Sequence, residues 1–535
     1  MTKTREERRL LPLALHTGAA VRELDRIAIE ESGIAGITLM RRAAQACADV
    51  VQQCWPAADV VRVFCGSGNN AGDGYLLAGL LAQRGLKVEA IVVGDIVKLG
   101  ADASAAYQFC EQSDATIQPL SEAAFADGAS LFVDALLGIG LSGLVRADFA
   151  KVITRINEHS ATKGLPVLSV DIPSGLSADN GQVLGVAIRA TATVTFIGTK
   201  RGLLTGDGTD MVGELYFDDL GVPVDVLKRV PATALRLSNE SLAGLLPRRL
   251  RNSHKNRFGH ILVVGGDQGM GGAVVMSAEA ALRTGAGLVS VATHPSHAAS
   301  LLSRIPELMV RGIATEADQV DSASGIEALA VMVEQCSVVV LGPGLGKSEW
   351  SREMFNTVME VTSGNGKAMV IDADGLNLLS AGFEKRGNWV LTPHPGEASK
   401  LLAGLEAASD DKETLETLGK IERAATDRFA MCELLQCHLG GAVVLKGAGS
   451  LISDGGEMWL CPHGNPGMST AGMGDVLSGV VGAMLGQGLS VGDAARLAVM
   501  MHAVAGDRAV SVTGERGLVA TDLMSQLRKL ANEYS

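Results

Sequence analysis

The strongest chemical pattern in the sequence is a glycine-rich segment that directly precedes a predicted helix. Residues 464–475 are Gly-Asn-Pro-Gly-Met-Ser-Thr-Ala-Gly-Met-Gly-Asp, and the apolar residues 476–485 predict the helix. Glycines before a helix allow backbone N–H groups to converge on an anion. Asp475, next to the predicted helix, can take a proton from a hydroxyl group that is being phosphorylated, or can hold that hydroxyl. The simpler alternative is a glycine turn that Asp475 caps.

Three more segments of the second half follow predicted strands and carry side chains suited to ligand binding. Residues 446–450, Lys-Gly-Ala-Gly-Ser, can bind a nucleotide through backbone N–H groups and the charge of Lys446. His394 and Glu397 can act as metal ligands, but neighbouring prolines exclude an ordinary helical His-x-x-Glu face, which favours a role at a substrate. Residues 372–377 form an acidic loop, and capping of the next helix explains it equally well.

The first half contains two loops with the composition of nucleotide-binding turns. Residues 69–74, Asn-Asn-Ala-Gly-Asp-Gly, lie between a predicted strand and a helix that we expect to start near Tyr75. Exposed N–H groups there suit a phosphate or a ribose, unless the Asn and Gly residues only satisfy the backbone of a turn. Residues 138–143 match Gly-x-Gly-x-x-Gly and can contact a dinucleotide. No strand-end carboxylate follows about 20 residues later, which disfavours a hydride-transferring Rossmann dehydrogenase.

Two aspartates of the first half each end a predicted strand. Asp134 ends the predicted strand 131–134 and Asp171 ends the predicted strand 166–171, so parallel strands would bring both to the same sheet edge. Ser174 follows Asp171 closely in the sequence. Two carboxylates and a hydroxyl form an oxygen-rich site for a hard cation or for general acid–base chemistry. Helix capping and strand-end turns are the alternative.

The elements that must position these residues repeat one order in both halves. A short apolar strand is followed by a glycine-rich turn and then by an alanine-rich helix, an order that predicts an α/β fold with mostly parallel sheets. Ligands bind at the carboxyl ends of the strands in such sheets. The composition around residues 225–250 predicts a linker or a connecting helix between the halves.

The composition limits the classes of function. The 535 residues carry a formal net charge of −13 and only 4% aromatic residues, so the chain lacks the basic surface and the stacking platforms of nucleic-acid-binding proteins. A hydrophobic content of 47% excludes wholesale disorder. The eight cysteines form no Cys-x-x-Cys pair, and no apolar run has transmembrane length. We therefore expect a cytoplasmic protein with no membrane or nucleic-acid partner.

Residues 15–223 resemble the epimerase domain of the NAD(P)H-hydrate repair enzymes. The resemblance rests chiefly on residues 69–74, 133–138 and 171–175. It implies that a hydrated nicotinamide nucleotide contacts Asn69, Asn70, Ala71, Gly72, Asp73, Gly138, Ile139, Gly140, Leu141, Ser142, Gly143, Leu144 and Asp171. It also implies that Asn70, Asp134 and Ser174 bind a potassium ion. Asp171 is the expected catalytic residue, either as an acid–base group or only as a ligand.

Residues 253–528 resemble the ADP- or ATP-dependent NAD(P)H-hydrate dehydratases, a branch of the ribokinase-like fold. The resemblance rests chiefly on residues 342–346, 392–397 and 465–475. It implies that the hydrate contacts Ala273, Gly344, His394 and Asp475, with Asp475 as the catalytic base. It further implies that the adenine nucleotide contacts Lys446, Gly447, Ala448, Gly449, Ser450 and Gly474.

The two resemblances together imply two doubly wound, three-layer α/β domains. A Rossmann-like domain is expected over residues 1–228 and a ribokinase-like domain over residues 237–535. The first would interconvert the R and S hydrates of NADH and NADPH (NADHX and NADPHX) with K⁺. The second would regenerate the reduced cofactor from the S form with Mg²⁺ and ADP or ATP. We expect a homo-oligomer that acts on these small molecules.

Two other classes of function remain open at the level of the sequence. The first is a sugar or vitamin-alcohol kinase with an accessory nucleotide-binding domain, which a stable phosphorylated product would identify. The second is a nucleotide sensor without catalysis. The carboxylates at the predicted strand ends disfavour the sensor, because binding alone does not require acid–base groups.

Overall fold

Strands and helices alternate along the chain. The computed structural model describes residues 3–314, 322–380, 382, 384–407 and 427–535. The chain divides into two units, Met1–Arg236 and Leu237–Ser535. Each unit contains a large, mostly parallel sheet with helices between its strands, which confirms the predicted α/β fold class.

The first unit contains a parallel sheet at whose centre the strand order reverses. The strands of this unit are β1 (Ala14–His16), β2 (Val60–Cys65), β3 (Lys87–Val92), β4 (Thr116–Pro119), β5 (Leu131–Ala135), β6 (Val167–Val170), β7 (Ala192–Phe196), β8 (Thr199–Lys200), β9 (Glu214–Asp218) and β10 (Ala234–Arg236). The helices are α1 (Arg5–Arg9), α2 (Gly18–Arg26), α3 (Gly36–Cys54), α4 (Asn69–Gln83), α5 (Ala101–Glu111), α6 (Ala147–Lys163), α7 (Gly208–Met211) and α8 (Val224–Leu227). The seven-stranded sheet has the order β4-β3-β2-β5-β6-β7-β9. Ligands of such sheets bind where the order reverses, here between β2 and β5.

Apolar side chains on both faces of this sheet explain its three layers. Val61 and Val63 of β2 belong to a buried cluster with residues of α3, α4 and α5. Phe64 of the same strand belongs to a second cluster with Phe149 and Ile153 of α6. Since successive side chains of a strand point to opposite faces, helices cover the sheet on both sides.

Helix α4 begins earlier than the sequence predicts. We expected a loop over residues 69–74 and a helix start near Tyr75, but the helix begins at Asn69. Gly72 and Gly74 lie within the helix because neighbouring groups leave no space for side chains. A Cβ on Gly72 would lie 2.6 Å from Met40 Sδ, and one on Gly74 would lie 2.5 Å from Ala135 Cβ.

The start of the predicted linker is folded as part of the first unit. The short helix α8 is followed by β10, which pairs antiparallel with β1. Leu15 and Ala234 are paired in this ladder and are both buried. The prediction of a linker or a connecting helix is therefore wrong for residues 234–236, because apolar burial and strand pairing order them.

The second unit repeats the same architecture with two antiparallel strands at one end of the sheet. Its strands are β11 (His260–Val264), β12 (Leu288–Thr293), β13 (Met309–Gly312), β14 (Val338–Leu341), β15 (Ala368–Ile371), β16 (Trp389–Leu391), β17 (Ala442–Leu445), β18 (Ser450–Ser453) and β19 (Trp459–Cys461). The strand order is β13-β12-β11-β14-β15-β16-β17-β18-β19, with β18 and β19 antiparallel to their neighbours. The order reverses between β11 and β14, which marks the expected ligand edge.

The helices of the second unit include one that is packed unusually closely. The helices are α9 (Asn239–Leu242), α10 (Gly271–Arg283), α11 (Ala298–Arg304), α12 (Ser322–Gln335), α13 (Glu349–Thr362), α14 (Asp374–Leu379), α15 (Pro395–Ala407), α16 (Arg428–Leu439), α17 (Met473–Gly486), α18 (Val491–Thr513) and α19 (Leu523–Glu533). Helix α17 starts at Met473 rather than at the predicted residue 476. A Cβ on Gly479 would lie 2.0 Å from the carbonyl oxygen of Ser277, and one on Gly482 would lie 2.6 Å from Val340. Glycine thus lets α17 contact α10 and β14 directly.

The sequence predicts no segment of transmembrane length. None of the helices in the described ranges combines the length and the apolar character that a membrane crossing requires.

Candidate functional site

The first unit has a cavity at the carboxyl ends of its central strands. It has a volume of about 670 Å³ and is bounded by residues that follow β2, β5 and β6 and by residues of α2 and α3. The predicted hydrate contacts that line it are Asn69, Asn70, Asp73, Gly138, Ile139, Gly140, Leu141, Ser142, Leu144 and Asp171. Ala71, Gly72 and Gly143 do not line it. Ala71 is instead fully buried in α4, and Gly72 packs against Met40.

An ion pair between Asp171 and Lys200 lies at the wall of this cavity. Asp171 follows β6 with φ of 67°, a conformation that is costly for any residue except glycine. Its carboxylate also accepts a hydrogen bond of 3.2 Å from the N–H of Phe196. Lys200 is fully buried and donates further hydrogen bonds to the hydroxyl of Thr195 (3.0 Å) and to the carbonyl of Phe196 (3.2 Å). No motif marks Lys200, and the predicted site does not include it.

Asp102 of α5 also lines the cavity, and so do two carboxyl groups with shifted pKa values, those of Asp25 in α2 and Asp73 in α4. Burial raises the pKa of Asp25 to about 6; the charge of Lys200 opposes this shift and that of Asp171 adds to it. Burial also raises the pKa of Asp73 well above its usual value, and the charges of Asp171 and Asp25 add to the effect. Neither carboxyl group has a hydrogen bond or an ion pair within the described part of the chain. The predicted site gives Asp25 no role.

The three predicted potassium ligands form a group of buried oxygen atoms. The hydroxyl and the N–H of Ser174 lie 2.5 and 2.8 Å from the carboxylate of Asp134, and both residues are fully buried. Asn70 Nδ2 donates to the carbonyl of Leu137 (3.2 Å), an oxygen that lies 3.1 Å from Ser174 Oγ. Asn70 Oδ1 is buried and has no hydrogen-bond partner among the described residues. This unpaired oxygen and the all-oxygen donor set fit a hard cation.

In the second unit, Lys446 connects three strand-end segments. Its Nζ lies 2.7 Å from Asp372 Oδ1 and 3.9 Å from Glu397 Oε2. A Cβ on Gly474 would lie only 3.1 Å from the same Nζ, so the ammonium group lies at the N-terminal turn of α17. The N-cap of this helix is Gly472, which supplies no side-chain cap. Unpaired N–H groups and an ammonium group thus face the same place, which suits a phosphoryl group.

Asp475 lies in the first turn of α17, beside this positive group. Burial raises the pKa of Asp475 to about 7, the charge of Asp372 adds to the effect and that of Lys446 opposes it. Burial alone would lower the pKa of Lys446, but the charges of Asp372 and Glu397 raise it instead. Near neutral pH the site therefore holds a fixed cation next to a carboxyl group that can exchange its proton.

The acidic loop at residues 372–377 supports the site and does not cap a helix. Asp372 is 1% exposed and holds Lys446. Asp374 Oδ2 accepts a hydrogen bond of 2.9 Å from the N–H of Gly346. The N-cap of α14 is Ala373, with φ of 50° and no side-chain cap. The capping explanation for these residues is therefore wrong.

His394 and Glu397 contact each other at the start of α15. Glu397 Oε2 accepts a hydrogen bond of 2.9 Å from the N–H of His394, and Glu397 Oε1 lies 3.4 Å from His394 Nε2. The side chain of His394 is 56% exposed, so it remains accessible to a ligand. Within the described ranges, no three His, Cys, Asp or Glu side chains are arranged to hold a metal ion. The substrate role of His394 stays a prediction.

The turn at residues 342–346 brings two predicted hydrate contacts together. A Cβ on Gly344 would lie 2.9 Å from Ala273 Cβ, and one on Gly342 would lie 1.8 Å from the carbonyl oxygen of Asp372. Both glycines have positive φ, of 57° and 127°. The turn can therefore pass between α10 and the loop after β15 only without side chains. It links Ala273 to the residues around Lys446.

The predicted nucleotide-binding turn connects β17 and β18. The N–H of Gly447 donates to Ser450 Oγ at 3.3 Å. The guanidinium group of Arg428 donates to the carbonyl oxygens of Ala448 and Lys446, which fixes the turn from behind. Lys446 extends from the turn to Gly474, so the predicted nucleotide contacts adjoin Asp475. Arg428 precedes this turn by a whole helix in the sequence, and no motif predicts its role.

Comparison with known proteins places both units in described families. Residues 261–529 match the family model described as NAD(P)H-hydrate dehydratase, and residues 36–202 match the one described as YjeF-related protein N-terminus. The chain is also similar to a solved ribokinase-like superfamily protein from Enterococcus faecalis. That similarity has 29% identity and a TM-score of 0.46, and covers 56% of this chain and 96% of the other.

Whole-length relatives carry both regions in one chain. The bifunctional NAD(P)H-hydrate repair enzyme Nnr of Coxiella burnetii is 43% identical over 519 residues, which cover 97% of this chain and 99% of that protein. The enzyme of the same name from Escherichia coli is 38% identical and covers 96% of this chain and 93% of its own length. The chain therefore belongs to the family of bifunctional NAD(P)H-hydrate repair enzymes.

Proposed function

We propose that this protein restores NADH and NADPH from their hydrates by two activities. The first unit interconverts the R and S hydrates, and the second converts the S hydrate to the reduced cofactor with ADP or ATP. The observation that carries the proposal is the position of Asp475 beside the Lys446 ammonium group at the unpaired N–H groups of α17. This arrangement supplies a base and an anion-binding place to the same reacting hydroxyl.

The dehydration follows from this arrangement in two steps. Asp475 takes the proton of the ring hydroxyl while the hydroxyl oxygen attacks the terminal phosphorus of the nucleotide. The bond from that phosphorus to the bridging oxygen breaks. The α17 N–H groups and Lys446 stabilise the charge on the transferring group. Phosphate then departs with the electron pair of the carbon–oxygen bond, assisted by the ring nitrogen, and loss of a proton from the adjacent carbon restores the double bond. Phosphate leaves far more readily than hydroxide.

Magnesium enters this proposal as part of the nucleotide substrate. No three His, Cys, Asp or Glu side chains are grouped to hold a metal ion in the part of the chain that the structure describes, and Lys446 lies at the N-terminal turn of α17. Mg²⁺ usually retains waters and binds through substrate phosphates. Ala273, Gly344 and His394 would hold the hydrate, and residues 446–450 with Gly474 would hold the nucleotide.

Dehydration is expected to rise with pH up to about 7 and then level off. Asp475 acts as a base only when it is ionised, and its raised pKa of about 7 keeps it protonated in mildly acidic solution. The measurement is kcat/KM for the S hydrate at saturating nucleotide over a pH series. Nucleotide affinity measured at each pH serves as the control. A rate that falls as pH increases through this range would contradict Asp475 as the base.

Potassium is expected to activate epimerisation specifically. Asn70, Asp134 and Ser174 would hold the ion, which would give the unpaired Asn70 Oδ1 a partner. We expect Na⁺ at the same concentration to bind there less well than K⁺. When bound, the ion supplies fixed positive charge near the phosphates of the hydrate. The measurement is the epimerisation rate in potassium, sodium and choline salts, with Asn70→Ala as the variant that should lose the difference. Equal rates in all three salts would argue against the site.

Both activities are tested together by the near-ultraviolet absorbance of the reduced nicotinamide. The protein is incubated with mixed R and S hydrates, Mg²⁺, K⁺, and either ADP or ATP in separate samples. Complete recovery is expected, and the faster nucleotide identifies the phosphoryl donor. Recovery of the reduced cofactor from the S hydrate alone would contradict the proposed epimerase activity. A stable phosphorylated product would indicate a small-molecule kinase instead, and binding without turnover would indicate a sensor.

We further propose a cytoplasmic homo-oligomer. The eight cysteines are all free thiols, and most of them are buried, which agrees with a reducing compartment. The mass of the native protein in solution, measured by light scattering, tests the oligomeric state. A mass of 55.4 kDa would show a monomer.

A further inference from the structure

The cavity of the first unit presents carboxyl groups from different elements to the same space. Asp25 projects from α2, Asp73 from α4, and Asp171 from the end of β6. Lys200 is the buried cation that belongs to this group, and it is bonded to Asp171. The cavity is large enough for a nucleotide and also contains the unpaired oxygen of Asn70.

Asp25 and Asp171 differ in their surroundings in a way that suits opposite proton-transfer roles. Asp25 lacks any hydrogen bond or ion pair in the described ranges, and its raised pKa of about 6 makes the protonated form accessible near neutral pH. Asp171, in contrast, accepts charge-assisted contacts from the ammonium group of Lys200 and a hydrogen bond from the N–H of Phe196. Two carboxyl groups whose environments differ in this manner commonly act as an acid and a base.

Epimerisation at a hydroxyl-bearing ring carbon requires both roles. The oxygen must leave one face as water, which needs a proton donor, and a water molecule must add to the other face, which needs a proton acceptor. A single side chain on one side of the ring cannot serve both faces, whereas residues from α2 and from the end of β6 can approach a bound ring from two directions.

We propose that Asp25 is the proton donor and Asp171 the proton acceptor for epimerisation of the hydrate. The inference rests on the proposed function of the first unit. The Asp25 proton goes to the ring hydroxyl as the carbon–oxygen bond breaks, and the lone pair of the ring nitrogen forms a carbon–nitrogen double bond. Water then attacks the same carbon from the other face, the π electrons return to nitrogen, and the proton of that water goes to Asp171.

The proton balance closes when the reaction runs in either direction. Conversion of one hydrate leaves Asp25 ionised and Asp171 protonated, which is the state from which the reverse conversion starts. Exchange with solvent resets the pair for another turnover in the same direction, because the cavity is open. Lys200 positions Asp171, and burial raises the pKa of the neighbouring Asp73.

The test uses the full chain, because dehydration by the second unit then shows that the protein is folded and that the hydrate preparation is intact. Asp25→Asn keeps the shape of the side chain but cannot donate the carboxyl proton. We expect it to lower the epimerisation rate by a factor of about 10²–10⁴. Dehydration of the S hydrate should proceed at the normal rate, so that recovery stops at the S fraction. Asp114→Asn, a change of the same type at an exposed position, should behave as the wild type.

Labelled water tests the bond that breaks. Without nucleotide, the wild type should incorporate one ¹⁸O atom into the hydrate for each epimerisation, and Asp25→Asn should show only the uncatalysed exchange. Epimerisation without ¹⁸O uptake, or an Asp25→Asn enzyme with more than about a tenth of the normal epimerisation rate, would overturn the assignment. A wild-type protein that does not epimerise at all would instead remove the proposed function of the first unit.

Discussion

Asp475→Asn is expected to lower the rate of dehydration by a factor of about 10²–10⁴ and to leave epimerisation unchanged. Asparagine matches the shape of the aspartate but cannot accept the proton of the ring hydroxyl. The amide also removes a negative charge beside Lys446, so nucleotide binding should be preserved or slightly stronger. The loss should therefore fall on kcat rather than on KM for the nucleotide.

The measurement follows NADH formed from the S hydrate with saturating ADP or ATP, and epimerisation is followed separately on the same preparation. Glu349→Gln is the matched control, since Glu349 is an exposed carboxylate in the first turn of another helix of this unit, α13. It should change neither rate. Equal loss of both activities in Asp475→Asn would mean that the substitution damages the protein as a whole, and full activity would exclude Asp475 as the base.

Lys200→Met is expected to destabilise the first unit by about 3–5 kcal/mol and to abolish epimerisation. The side chain of Lys200 is 1% exposed and that of Asp171 15%, so the methionine would leave a largely buried carboxylate without its cation. The hydrogen bonds to Thr195 and Phe196 would also be lost. Hydrogen–deuterium exchange of peptides from β6 and β7, compared with peptides from β15 and β17, measures the loss of stability unit by unit.

The double variant Lys200→Met with Asp171→Asn separates stability from catalysis. Removal of both charges eliminates the unpaired carboxylate, so most of the protection against exchange should return. Epimerisation should stay absent because the proton acceptor is gone. A single Lys200→Met variant with normal protection, or a double variant that epimerises, would show that this ion pair has no such role.

The architecture followed from local sequence patterns because burial acts on short segments. Apolar runs such as residues 60–64 become strands at the centre of a sheet, and the order of strand, glycine turn and helix fixes parallel pairing. The helix starts were predicted too late by six residues at Asn69 and by three at Met473, by comparison of residues 75 and 476 with the observed bounds. At Asn69, glycine was taken as a sign of a turn, whereas Gly72 and Gly74 provide the space for close packing of α4. At Met473 the turn is present, but it ends at Gly472, which has φ of 88°.

The candidate sites were predictable only where one loop carries the signal. The glycine segment before Asp475 and the segment after β2 stand out in the sequence itself, and both adjoin the described sites. Neither Asp25 nor Lys200 was assigned a chemical role from the sequence, because both come from segments distant from Asp171 and approach it only through the tertiary fold. The sequence marks Asp372 as part of an acidic loop, but it does not predict the ion pair with Lys446, since Lys446 is 74 positions away.

The direct contact of α17 with Ser277 and Val340 has a genetic consequence. Any residue larger than glycine at Gly479 or Gly482 must push this helix away from its neighbours, and Asp475 moves as part of the same rigid rod. A displacement of about 1 Å in a reacting group can reduce a rate by about a hundredfold. In a random mutagenesis screen, lesions one and two helical turns away from Asp475 would therefore score as null alleles of the dehydratase, although neither residue touches a substrate.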